Sequence, residues 1–188
     1  MAAILSPINI SSVPSVEELV ERARNLRPLL AERAAQTERD GRVSADVTAR
    51  IKEAGLFKIG QPQRFGGYGC VPSTFLQVGF ELGRACPSTS WAVTVGNSCS
   101  WFASYWPLEA QEKIWNQIPD NLVCMSGIPT GKCRVVEGGY EVFGEWFYAS
   151  NCDNSEWVIV SAPLAHAKDA DPETTWFMVK SEDLTMSR

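Results

Sequence analysis

The residues able to do chemistry in this chain are few, and most are easily set aside. There are six cysteines and one histidine. Cys70, Cys86, Cys99, Cys124, Cys133 and Cys152 form no C-x-x-C pair, so no zinc centre is expected. Cys86, Cys124 and Cys133 read as small buried apolar side chains. His166 sits in the polar run LAHAKDAD, which reads as solvated and gives a histidine triad little support. What remains is a hydroxyl among aromatics. Tyr148-Ala149-Ser150 ends the aromatic-rich segment 140–148 and offers a ring for stacking beside a directed hydrogen bond, a combination suited to a flat heteroaromatic cofactor. A second hydroxyl, Ser126, lies in Met125-Ser126-Gly127.

The elements that must position these groups are strands. Residues 132–137 and 140–148 flank Gly138-Gly139, a dipeptide suited to the positive φ angles of a short hairpin turn. In the second arm Tyr140, Val142, Gly144, Trp146 and Tyr148 share one face, and Glu141, Phe143, Glu145, Phe147 and Ala149 share the other. Asn151–Ser155 reads as a turn, Trp157–Ala162 as a buried strand, Thr174–Lys180 as another, and the charged stretch Pro163–Glu173 as an exposed loop. Asn121–Cys124 forms a further strand just before Ser126.

Upstream the periodicity is helical. Ser15 and Glu18 make a capping box, and Val16, Leu19, Val20, Ala23, Leu26, Leu29 and Leu30 follow near helical spacing, with a kink expected at Pro28. A second helix runs from about Ser44 to Ala54 and ends on Gly55 as a left-handed cap. Ser73 and Ser88 are expected to cap a third and a fourth, the latter reaching Trp101 or Tyr105, and Pro107 opens a fifth to about Ile118. Gly66, Gly67 and Gly69 lack the G-x-G-x-x-G spacing and read as a tight loop rather than a phosphate cradle.

Helices first and strands afterwards specify an α+β chain: a helical domain over 1–118 and a β domain over 119–188. With 188 residues and 45% hydrophobic content, a sizeable core is available. A net charge of -5 with no basic cluster argues against nucleic acid as a partner. No membrane span or secretory leader is legible, and a cytoplasmic location is expected.

Two segments carry a resemblance. GGYEVFGEWFYASNCDNSEW is similar to the flavin-contacting strand pair of the acyl-CoA dehydrogenase superfamily, and FGGYGCVPSTFLQVGFELGRACPSTSW, residues 65–91, resembles its two-component flavin-dependent monooxygenases. Together the matches extend over about residues 15–180. The resemblance implies that the β domain over 119–188 is a partial antiparallel one. It also implies an oxygenase that takes reduced FMN or FAD from a separate flavin reductase and hydroxylates a small organic substrate. It places the Ser150 hydroxyl at flavin N5, Tyr148 and Ala149 beside the ring, and Met125, Ser126 and Gly127 along its pyrimidine edge. It places Trp101, Cys99 and Tyr68 near the substrate pocket. Read from the residues alone, alternatives stand beside these roles: Ser150 as a strand-end cap, Tyr148 and Trp101 as core aromatics, and Ser126 as a turn serine.

Two departures follow from the same resemblance. Many related monooxygenases carry a histidine as base where this chain has Cys99, and a thiol with no cationic neighbour replaces it poorly. The family also continues beyond Arg188 into a C-terminal helical bundle, so a truncated product completed by another chain or by homo-oligomerisation is expected. The competing readings are an acyl thioester dehydrogenase and a non-catalytic subunit. The C-P-S-T-S-W and G-E-W-F-Y-A-S-N-C-D runs favour the monooxygenase.

Overall fold

The computed structural model describes residues 13–165 and 171–186, and these divide into two units at Asp120/Asn121. His166 lies outside the described residues.

The first unit is helical: α1 (Val16–Asp40), α2 (Ala45–Glu53), α3 (Pro72–Gly83), α4 (Pro87–Ala103) and α5 (Leu108–Trp115). The capping box at α1 forms as the sequence indicates, with Glu18 N–H donating to Ser15 Oγ at 3.1 Å and Ser15 N–H to Glu18 Oε2 at 2.7 Å. Such a cap is worth about 1 kcal/mol. The helix continues through Pro28 and buries Leu19, Ala23 and Leu30 where α1 meets α2, α3 and α4. Gly55 takes φ +72° after α2, and Leu56 and Phe57 turn inward.

Ser73 and Ser88 are not caps. Val71 and Cys86 hold those positions because Pro72 and Pro87 occupy the first helical turn, where a missing N–H costs nothing. The helix therefore starts before the serine in each case. α5 stops at Trp115 rather than Ile118, consistent with Pro119 disfavouring helical backbone at the residue before it. Among the described residues no helix is long and apolar enough to cross a membrane.

The second unit contains β1 (Leu122–Met125), β2 (Lys132–Val136), β3 (Gly139–Phe143), β4 (Ser155–Leu164) and β5 (Glu173–Lys180). The three-stranded sheet has the order β1-β4-β5, and β2 and β3 form a separate ribbon. β4 and β5 are antiparallel, but β1 runs parallel to β4, so the sheet is mixed rather than wholly antiparallel. A parallel pair needs a long crossover, which the β2–β3 ribbon and residues 144–154 supply.

The hairpin turn also differs by one residue from the expected one. Val136 pairs with Gly139, so the turn is Glu137-Gly138, and one positive φ, +83° at Gly138, suffices to reverse the chain. β3 ends at Phe143, short of Tyr148. Gly144 at φ +140° leads the chain out of the ladder, and residues 145–149 belong to no strand. One core cluster of this unit is Cys124, Val158 and Val160, packed against Val142, Trp146, Ala149, Cys152, Phe177, Val179 and Leu184. Cys133 is only partly buried, because its short ribbon leaves one face toward solvent.

Candidate functional site

The segment 144–150 is built by opposing demands. Alternation carries Val142 and Trp146 onto the core, and Tyr140 stacks edge-on with Phe177 at 5.7 Å between centroids. At Tyr148 the alternation breaks. Its backbone adopts φ +60°, uncommon for a bulky residue, and its side chain is 87% exposed. Phe147 is half exposed beside it, and Ala149 and Ser150 are partly buried. Ser150 N–H donates to Tyr148 O at 3.1 Å, which tightens the tip. Asn151, at φ +69°, then opens the 3-10 turn Cys152–Asn154, a conformation that asparagine tolerates well.

The end of β1 reaches the same segment. Ser126 is 1% exposed, its N–H extends the β1–β4 pairing by donating to Ile159 O at 2.9 Å, and its hydroxyl donates to Phe147 O at 2.7 Å. The structure therefore brings Ser126 and the Tyr148–Ser150 tip together, joined through one carbonyl. Met125 is half-buried at the strand end and Gly127 is exposed. Trp146, which the sequence reading treated only as a strand residue, is the anchor of the tip. Its Nε1–H donates to Ser161 O at 2.8 Å, and its indole lies so close to Gly131 that a Cβ there would sit 2.2 Å from Cζ2. Thr130 Oγ1 also donates to Glu145 O. A tryptophan four residues before Ser150 and a glycine beyond Thr130 were the available signals.

The other three candidates lie in the helical unit. Tyr68 leaves the glycine loop with its hydroxyl 3.5 Å from Arg22 Nη1 and against Gly55, while the same Arg22 nitrogen donates to Ala54 O at 3.1 Å. It therefore ties the loop to α1 and the end of α2. Trp101 is half-buried, with its ring edge-on to Tyr105 at 5.0 Å.

Cys99, on α4, is 1% exposed, and burial pushes its thiol up to about 12. A group that holds its proton so tightly is no base at neutral pH. With the native chain at pH 8, alkylation of Cys99 is expected to be about a thousandfold slower than that of an ordinary thiol, from its thiolate fraction alone. Mass-mapped iodoacetamide labelling checks this, and labelling of Cys99 at the rate seen in urea would refute it.

The sequence reading passed over Asn97, although a polar residue inside the apolar run WAVTVGNSCSW is itself a signal. It is fully buried. Its Oδ1 accepts from Gly60 N–H at 2.9 Å, and its Nδ2 donates to Leu56 O at 2.7 Å and Val93 O at 2.9 Å. It thereby fixes the loop that runs toward Tyr68.

Known proteins with this architecture agree on the family. Residues 15–116 match the family model for the acyl-CoA dehydrogenase N-terminal domain. The chain is 33% identical over 161 residues to the oxygenase component of FADH(2)-dependent resorcinol hydroxylase from Rhizobium sp. (strain MTP-10005), covering 86% of this chain and 39% of that protein. The crystal structure of the HsaA monooxygenase from M. tuberculosis superimposes with a TM-score of 0.84 at 29% identity, over 90% of this chain and 46% of that one. XiaF from Streptomyces sp., solved in complex with FADH2 and glycerol, gives 0.83 at 28% identity, over 90% and 43%. The chain spans less than half the length of these relatives. By its helical half, residues 15–116, this chain belongs to the acyl-CoA dehydrogenase family.

Proposed function

We propose that the chain carries the flavin-facing part of an oxygenase component. It takes reduced FAD or FMN from a separate flavin reductase and hydroxylates a small organic substrate with dioxygen. The observation that supports this reading best is the tip at Tyr148. An aromatic side chain is held outward at φ +60° two residues before a serine, a conformation that costs on the order of 1 kcal/mol or more and gains no core packing. Strain of that kind is retained where a group must be presented.

These residues fit a flavin. Phe147 and Tyr148 offer exposed ring surface for stacking, Ser150 carries a hydroxyl at the tip, and Gly127, exposed just after Ser126, could meet the polar edge. When bound, a reduced flavin supplies the electrons and the dioxygen chemistry. The chain's own contribution is geometric: Ser150 orients the ring by one directed hydrogen bond, and the aromatics keep bulk water from its face. The similarity to a resorcinol hydroxylase and a p-hydroxyphenylacetate 3-hydroxylase supports an aromatic substrate class. Cys99 supplies no base, so ionisation of a phenolic substrate falls to another group or to solvent.

The test is an anaerobic titration of the full chain with photoreduced FAD and FMN, followed by fluorescence. Ser150→Ala is expected to weaken reduced-flavin binding about tenfold, the value of one net hydrogen bond of about 1.4 kcal/mol, with the melting temperature nearly unchanged. Lowered stability with unchanged flavin affinity would instead make Ser150 a strand-end cap. An absence of binding in either redox state would end the proposal for this chain alone.

A further inference from the structure

We propose that Trp146 and Ser126 are positioning residues that set where Tyr148, Ala149 and Ser150 stand; this rests on the flavin reading above. Residues 145–149 lie beyond the end of β3 and belong to no strand, yet they lead directly into the tip. A segment outside a ladder drifts unless side chains hold it. Three do so, two reaching in from Thr130 and Ser126 and one reaching out from the segment itself. Thr130 grips the Glu145 carbonyl, Trp146 reaches Ser161 O on β4 at 2.8 Å, and Ser126 at the end of β1 holds the Phe147 carbonyl at 2.7 Å.

The two inner ties are rigid. Ser126 is buried and itself fixed by its N–H to Ile159 O. The Trp146 indole is part of the core and is confined over Gly131, where any side chain would collide with Cζ2, Cε2 and Nε1. Fixing residue 146 by its side chain and residue 147 by its carbonyl leaves the peptide entering Tyr148 little freedom, which is how the positive φ there is imposed. The assignment changes the expected role of Ser126. Its proton is committed to Phe147 O, so it acts on a ligand through the tip rather than by touching it.

Three variants of the full chain test this: Trp146→Phe, which keeps a ring and removes the N–H; Ser126→Ala; and the milder surface change Thr130→Ala. The readouts are amide hydrogen exchange over residues 145–151, reduced-FAD affinity and thermal midpoint. Exchange at 147–150 is expected to rise about tenfold or more in Trp146→Phe and Ser126→Ala while the β4–β5 amides stay protected, with flavin affinity falling by a similar factor. Thr130→Ala moves both in the same direction by less, and it keeps the test alive if a buried variant fails to fold. Unchanged exchange at the tip, or unchanged affinity in a variant whose tip exchange has risen, overturns the proposal. If the parent chain binds no flavin, the functional reading fails separately, and the exchange measurements still decide whether these residues hold the tip.

Discussion

Asn97→Ala is expected to lower the stability of the helical unit by about 3 to 5 kcal/mol. The side chain is fully buried in α4 and satisfies two backbone groups of the loop after α2, Gly60 N–H and Leu56 O. Val93 O is different, because an intrahelical bond can still serve it. Truncation leaves the donor and the acceptor desolvated, each at about 1 to 3 kcal/mol, and adds a small cavity. Because Gly60 lies among Lys58, Ile59 and Gln61, whose carbonyls accept from the N–H groups of Tyr68, Cys70 and Gly69, the loss should spread to the glycine loop. Urea unfolding of the full chain, with the transition of the helical unit fitted separately, measures it. A loss under about 1 kcal/mol would mean that water enters and replaces the amide.

The second large effect is expected at Gly67. A Cβ there would lie 2.2 Å from the Gln61 carbonyl oxygen and 2.5 Å from its carbon, and both are backbone atoms that cannot swing aside. That backbone is held on both sides. Gly69 N–H donates to Gln61 O at 2.8 Å, and the Gln61 side chain donates to Phe65 O and Pro119 O at 2.7 and 2.8 Å. Gly67→Ala must therefore open the loop, at a cost of about 2 to 4 kcal/mol from overpacking and lost hydrogen bonds. Gly66→Ala is the control. Gly66 takes φ +83° with nothing near its missing side chain, so the cost there is only the left-handed backbone, about 1 kcal/mol. Thermal or urea unfolding of both variants should rank Gly67→Ala well above Gly66→Ala, and the opposite order would show that the loop is not closely packed.

Much of the architecture was legible in the chain. The capping box at Ser15, the helical spacing after it, the left-handed glycine after α2 and the β-rich runs 132–137 and 157–162 are local signals, and the α+β class follows from their order. The errors were local conflicts. Pro72 and Pro87 each moved a helix start ahead of the serine that resembled a cap, and the hairpin needed only one positive φ where two glycines stood. The parallel pairing of β1 with β4 had no local signal, because it depends on residues about 34 positions apart, such as Cys124 and Val158.

The candidate site divides in the same way. The residue types at the tip, an aromatic followed by a small residue and a hydroxyl, are properties of the sequence, as is the absence of a histidine at position 99. Their orientation is not. Alternation along a strand assigns Tyr148 to the face of Trp146 and Val142, but the ladder ends at Phe143, so the rule that assigned it no longer applies. Ser126 likewise reads as a free turn hydroxyl until its carbonyl partner, 21 residues away, is brought to it by the fold. Helix, strand and turn propensities act between neighbours and are written in the chain. The contacts that hold Tyr148 outward, Ser126 inward and Cys99 in a medium that keeps its proton come from distant residues meeting, and only tertiary packing decides them.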